Sequence, residues 1–261
     1  MSYRVNINVA NIRKEPKFRS ERISQALFNE KVEILEKGED FSKVRLPDNY
    51  EGYIRNSFIS SDSVQQDGDL MVSATIAIGY IGADERAPSA TMLPFTSVVK
   101  AARMANNFVV VETARYGDLY IMQDDLIPLD QRPKLDRENT RMFLDSARRF
   151  IGVPYLWGGK SFFGIDCSGL SQVNFKFFGI DLPRDSKDQM QMGKEIKRED
   201  IEPGDLLFFK GHVAIAINKL TFIHSSNGVG GVNINSFDPS QDNYLEHLDK
   251  GLLGVRRVIE D

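Results

Sequence analysis

Apolar and polar positions alternate in three short runs near the start of the chain: Lys31-Val-Glu-Ile-Leu35, Ser42-Lys-Val-Arg-Leu46 and Glu51-Gly-Tyr-Ile-Arg55, the last preceded by Pro47-Asp-Asn49. Period-2 alternation bounded by turn residues predicts half-buried β-strands. The plan recurs in Ser97-Val-Val-Lys-Ala101, Phe108-Val-Val-Val-Glu112 and Asp118-Leu-Tyr-Ile-Met122. Phe41 precedes Ile54 by 13 positions and Phe108 precedes Ile121 by 13, and the stretches close on similar tails, Ser57-Phe-Ile59 and Asp125-Leu-Ile127. A repeated all-strand unit of about 60 residues predicts two small barrels, assigned to residues 1–64 and, in more divergent form, 65–130.

The pattern then changes. Asp130-Gln-Arg-Pro-Lys-Leu-Asp136 reads as a charged surface linker into a third segment, residues 131–261. Glu138–Phe150 carries helical periodicity, with Met142, Phe143, Ala147 and Phe150 on one side and Gly152 and Pro154 ending it. Leu170, Val173, Phe177 and Phe178 recur at helical spacing before Gly179, so a second helix starts at Asp166-Cys-Ser-Gly169 with Asp166 as its N-cap. Glu202-Pro-Gly-Asp205 is a turn before the buried strand Leu206-Leu-Phe-Phe209. Gly211–Ile217 and Leu220–His224, split by Asn218-Lys219, read as a hairpin. The predicted fold is α+β: two small barrels followed by a mixed helix-and-strand domain.

Composition narrows the function classes. A net charge of −4 gives no basic field for nucleic acid or anionic lipid. No apolar run approaches the roughly 18 residues of a membrane span. The start, Met1-Ser-Tyr-Arg-Val, has no apolar leader core, which implies a cytoplasmic protein if the chain is complete and a periplasmic or extracellular one if a leader has been removed. A single cysteine, Cys167, allows no internal disulfide and no multi-cysteine metal site.

Cys167 falls in the first turn of a predicted helix, where the macrodipole favours a thiolate. A hairpin loop of three residues centred on Asn218 sets His212 opposite His224, with Cβ atoms roughly 4.5–5.5 Å apart. Two of the three histidines are thus brought together, and His247 is left as a surface residue. The set has three readings: a metal site, for which further ligands are lacking; a nucleophile, base and orienting group in the order Cys167, His212, His224; or histidines that pack beside a core thiol.

A resemblance separates these readings. From about residue 138 onward the chain resembles the NlpC-type, papain-like endopeptidases of bacterial cell-wall peptides. The matching stretches are Pro154-Tyr-Leu-Trp-Gly-Gly159, Asp166-Cys-Ser-Gly169, Leu182-Pro-Arg-Asp-Ser186, Pro203-Gly-Asp-Leu206, Gly211-His-Val-Ala214 and Ile223-His-Ser225. The first unit, from Val9-Ala-Asn-Ile-Arg13 through Gly52-Tyr-Ile54, resembles a bacterial SH3-like domain, and the second does so less closely. The resemblance implies a triad of Cys167, His212 and His224, with Tyr155 beside the nucleophile in oxyanion stabilisation.

Two SH3-like units ahead of such a domain resemble the gamma-D-glutamyl-L-diamino-acid endopeptidases. That likeness implies cleavage of murein tripeptides or tetrapeptides, L-Ala-gamma-D-Glu-diamino acid, with a free N-terminal L-alanine. Its ammonium is expected to meet Asp166, Ser168 and Ser186, with Glu30 and Tyr50 from the first unit, or Tyr53 and Glu21 in their place. Trp157 and Arg184 complete the candidate substrate-binding set, Arg184 as a partner for a substrate carboxylate or as a surface ion pair. The reading calls for no metal or organic cofactor, no nucleic-acid or membrane partner, and a monomer. The competing functions are a lytic hydrolase of intact peptidoglycan with the SH3-like units as anchors, a wall-peptide-binding protein without catalysis, and acyl transfer on the same fold.

Overall fold

Seven strands form the first barrel: β1 (Ser2–Val5), β2 (Val9–Arg13), β3 (Arg22–Leu27), β4 (Lys31–Glu36), β5 (Phe41–Arg45), β6 (Glu51–Arg55) and β7 (Ile59–Ser61). They pair in the order β3-β2-β6-β5-β4-β1-β7 around Val5, Ile12, Val32, Val44, Ile54 and Ile59. This computed structural model describes residues 2–61 and 67–259. The expected division at residues 64 and 65 lies outside the described residues. The chain forms two units, 1–132 and 133–261.

The second barrel repeats the plan of the first with eight strands in place of seven. It comprises β8 (Leu70–Val72), β9 (Ile76–Tyr80), β10 (Ser89–Pro94), β11 (Val98–Val99), β12 (Arg103–Ala105), β13 (Phe108–Thr113), β14 (Gly117–Met122) and β15 (Leu126–Pro128). Ser42 pairs with Ile54 in the first barrel and Val109 with Ile121 in the second, at equal sequence separation. Both closing tails pass through a single 3₁₀ turn, Asn56–Phe58 and Gln123–Asp125. After β3 and β10 the chain turns through left-handed residues, Asn29 (φ 61°) and Thr96 (φ 66°). The same bonds hold both turns: the Asn29 N–H donates to the Val5 carbonyl and the Thr96 N–H to the Val72 carbonyl.

One strand departs from the sequence expectation. Ser97–Ala101 is not continuous; only Val98 and Val99 pair with β8, and β12 follows separately. The Ala101 N–H donates to the Asp69 carboxylate at 3.0 Å, so a side chain takes the donor a longer ladder would use. The two barrels also share core. Phe28, at the end of β3, is buried among Val72, Ala77, Leu93, Val99 and Leu126 of the second barrel.

The second unit is built on a six-stranded antiparallel sheet: β18 (Lys194–Ile196), β19 (Leu206–Phe209), β20 (His212–Ala216), β21 (Thr221–Ser226), β22 (Gly231–Ser236) and β23 (Gly254–Arg257), in the order β18-β23-β19-β20-β21-β22. The helices are α1 (Thr140–Arg148), α2 (Cys167–Phe177) and the single turns α3 (Ser186–Gln189) and α4 (Glu246–Asp249), and a ribbon of β16 (Lys160–Ser161) and β17 (Gly164–Ile165) precedes α2. Almost every residue of α2 is buried, so it is a core helix packed on β20 and β21.

On α1 the buried residues are Phe143, Leu144, Ser146 and Ala147. Phe143 meets Phe175 and Phe178 edge-on at 4.8 and 5.5 Å. Met142, expected on that face, is half exposed because it lies off the stripe that Phe143 and Ala147 define. The Pro203–Asp205 turn is fixed from the neighbouring strand β23: Arg257 donates to both carboxylate oxygens of fully buried Asp205, at 2.8 and 2.9 Å. Among the described residues no helix is long and apolar enough to cross a membrane.

Replacing Phe28 with alanine removes a ring from the second barrel's core. A loss of about 3–5 kcal/mol is expected, read as a lower denaturation midpoint of residues 1–132 within the intact chain. An unchanged midpoint would show that the inserted ring is not a core residue.

Candidate active site

Asp166 enters α2 with extended backbone, and its Oδ1 accepts the Gly169 N–H at 2.7 Å. This is the N-cap the sequence predicts, and it starts the helix at Cys167. Oδ2 accepts the Gly158 N–H at 2.8 Å, which ties the Trp157-Gly158-Gly159 turn to the same carboxylate. The approach is close enough that glycine is required: a Cβ on Gly169 would lie 2.2 Å from the Gly159 carbonyl oxygen.

Arg184 completes this cluster and corrects its predicted role. Its guanidinium donates to Asp166 Oδ1 and Oδ2 at 3.1 and 2.6 Å and to Ser168 Oγ at 2.8 Å. It is only 2% exposed. It is therefore neither a surface ion pair nor an open partner for a substrate carboxylate, because the fork is already spent on an interior carboxylate. Gln189 of α3 fastens the arrangement from below, donating to the Ser168 and Pro183 carbonyls at 3.0 and 2.9 Å.

The histidine hairpin forms with a different register from the predicted one. Ile215 pairs with Ile223 and Ala216 with Phe222, so the three-residue loop is centred on Lys219 and not on Asn218. Asn218 instead accepts the Leu220 and Thr221 N–H groups through its Oδ1, at 2.8 and 2.9 Å. That side-chain turn moves the pairing by two residues. An even shift keeps every side chain on its face, so His212 and His224 are diagonal neighbours and still meet, His212 Nε2 to His224 Nδ1 at 2.8 Å.

The next strand extends the row. Asn235 of β22, diagonal to His224, places Oδ1 3.0 Å from His224 Nε2. Sequence reasoning missed Asn235; its one signal is the polar alternation Asn233-Ile-Asn235 in a strand that follows the hairpin.

Electrostatics at the thiol run against the helix-dipole expectation. Burial and the negative charge of Asp166 push Cys167 up to about 11, although the Val213 and Ser168 N–H groups and Arg184 pull the other way. Burial pushes His212 down to about 3 and His224 down to about 4, the latter opposed by the bond to Asn235. At neutral pH the resting pair is thiol and neutral imidazole.

The Val213 N–H that reaches the thiol belongs to the residue after His212. Tyr155 is half-buried in the same place; burial and the neighbouring Cys167 and Asp166 charges raise its phenol to about 12, so it remains a donor. Ser186 is half-buried at the start of α3 and Trp157 is exposed. Glu30, Tyr50, Tyr53 and Glu21 belong to the first unit. Glu30 Oε2 accepts the Leu27 N–H at 2.9 Å, Tyr50 packs on the first barrel's core, Tyr53 pairs with Lys43 and Arg13, and Glu21 is exposed beside Lys14. Among the described residues no group of three or more His, Cys, Asp and Glu side chains is placed to hold a metal ion.

Residues 152–249 match the NlpC/P60 family, and residues 8–60 match the bacterial SH3 domain. A Bacillus subtilis protein named gamma-D-glutamyl-L-lysine dipeptidyl-peptidase is 30% identical over 255 residues, covering 91% of this chain and 81% of that one. A Lysinibacillus sphaericus protein named dipeptidyl-peptidase 6 is 31% identical, covering 92% of this chain and 93% of its own. In fold, the chain is similar over its full length to a crystal structure of an NlpC/P60 family protein from Bacillus cereus, with a TM-score of 0.85 at 21% identity.

Two outcomes are expected of this geometry. Arg184→Ala leaves Asp166 charged and unpaired in the interior and should cost about 3–5 kcal/mol in denaturant unfolding; a loss below about 1 kcal/mol would show the pair to be dispensable. Because the thiol is raised and the imidazole lowered, thiolate ultraviolet absorbance, taken as wild type minus Cys167→Ala, should be absent at neutral pH and grow only in alkaline solution. A thiolate signal already present at neutral pH would show an ion pair in its place.

Proposed function

The chain belongs to the NlpC/P60 family of cell-wall cysteine peptidases, and from that premise we propose that it hydrolyses the gamma-D-glutamyl–L-diamino acid bond of murein tripeptides or tetrapeptides bearing a free N-terminal L-alanine. The observation that carries the reading is the contact of His212 with His224 at 2.8 Å, immediately before the Val213 N–H that reaches the Cys167 thiol. The name of the Bacillus subtilis relative supports the choice of bond.

His212 Nε2 is engaged by His224, so Nδ1 is the ring nitrogen available to Cys167. It takes the thiol proton as sulfur attacks the gamma-carbonyl carbon. The oxyanion forms against the N-terminus of α2, where the Ser168 N–H lies, and against the protonated phenol of Tyr155. The tetrahedral adduct collapses as His212 passes its proton to the departing amine of the diamino acid, leaving a thioester. His212 then removes a proton from water, which attacks the thioester carbon and releases the gamma-carboxylate and the free thiol.

Asp166, Ser168 and Ser186 surround the start of α2 and α3 and are proposed to receive the alanine ammonium. Asp166 does this while also acting as helix cap and Arg184 partner, so what it offers the substrate is a fixed carboxylate, not a mobile one.

The test is incubation with L-Ala-gamma-D-Glu-L-Lys and with its N-acetylated form, products being followed by mass. Cleavage of the first alone is expected. Cys167→Ala and His212→Ala should each lower kcat by on the order of 10⁴-fold or more. Equal cleavage of the acetylated peptide would remove the requirement for a free amine, and cleavage of neither would overturn the assignment of this bond.

A further inference from the structure

The row of polar groups across β20, β21 and β22 ends on a residue whose orientation is not free. Asn235 Nδ2 donates to the Asn243 backbone carbonyl at 2.9 Å. A carbonyl only accepts, so the amide is held with its nitrogen toward Asn243 and its Oδ1 toward His224. The Asn243 carbonyl is itself fixed: the Ser236 N–H also donates to it at 3.0 Å, and Asn243 Nδ2 donates to the Ile234 carbonyl at 3.1 Å. The segment after β22 is thereby clamped back onto the strand.

Proton positions follow one after another from this anchor. Asn235 Oδ1 cannot donate, so the His224 nitrogen facing it at 3.0 Å, Nε2, carries the hydrogen. A neutral imidazole has one ring hydrogen, so His224 Nδ1 is an acceptor. The contact at 2.8 Å then requires the hydrogen on His212 Nε2, and His212 Nδ1 is left bare. His224 is 1% exposed and Asn235 6%, so water has little access to substitute for either partner.

We infer that Asn235, oriented by the Asn243 carbonyl, is a positioning residue that sets the tautomer of both histidines and so keeps His212 Nδ1 free to accept the Cys167 proton. The inference rests on the reading of Cys167 and His212 as the reacting groups. It assigns to this chain a fourth member behind the cysteine and two histidines, acting through His224 without touching substrate. With Asn235 as the end of the row, a donor in its place would reverse both rings and put a hydrogen between His212 and the thiol.

The test reads ring nitrogens directly. In the full chain labelled with ¹⁵N-histidine, nuclear magnetic resonance at neutral pH should show His212 and His224 both protonated at Nε2 and bare at Nδ1. A hydrogen on His212 Nδ1 in the wild type overturns the inference without any variant. In Asn235→Leu, which keeps the side-chain size and removes the acceptor, both rings should become tautomer mixtures. In the same variant kcat on L-Ala-gamma-D-Glu-L-Lys should fall about 10- to 100-fold with KM within about twofold. An unchanged ring pattern, or a loss confined to KM, overturns it. The spectra need no substrate, so the two readings fail separately: the stated ring pattern in a protein that leaves the peptide intact supports this inference and removes the proposed bond.

Discussion

A single carboxylate organises the surroundings of the thiol. Asp166 holds the first turn of α2 through the Gly169 N–H, the Trp157–Gly159 turn through the Gly158 N–H, and the segment before α3 through Arg184. Each attachment reaches a different stretch of chain, so the position of Cys167 is fixed by long-range groups and not by its own helix alone. The ion pair is costly to bury, and it persists because every oxygen has a donor aimed at it. Ser168 is drawn into the same cluster through its hydroxyl, and Gln189 closes it from α3.

The histidine row answers a second constraint, that buried polar atoms must be satisfied in one consistent order. Desolvation disfavours charge on both rings and on the thiol, so reactivity is not stored as a resting ion pair. It lies in the direction of the hydrogen bonds. Diagonal neighbours across three antiparallel strands supply that direction, and the Lys219-centred loop preserves it because its shift is even. A one-residue slip would have sent His212 to the opposite face.

Much of this was legible in the sequence, and the misses have specific causes. The duplicated barrels, the start of α2 at Asp166 and the meeting of His212 with His224 follow from alternation, capping chemistry and parity. The exact hairpin register did not, because an Asn218 side-chain turn competes with the backbone loop. The break between β11 and β12 depended on Asp69, about thirty residues away in sequence, taking a backbone donor, a contact that local pattern does not carry. Arg184 read as a partner for a substrate carboxylate or as a surface ion pair because burial of a charge is visible only once its partner is found. Asn235 was missed for the same reason: alternation marks it as a polar strand residue, but its meaning comes from the His224 ring on the neighbouring strand.

Phe28 gives the N-terminal unit a property that neither barrel has alone. Its side chain is encoded in the first copy of the repeat and consumed in the core of the second. A duplication usually yields two parts that can be shuffled, lost or exchanged separately. Here a genetic cut between the copies would leave one fragment with an orphaned aromatic ring and the other with a hole. The two copies therefore make one structural unit, and a transplant of this architecture onto another catalytic domain must carry both.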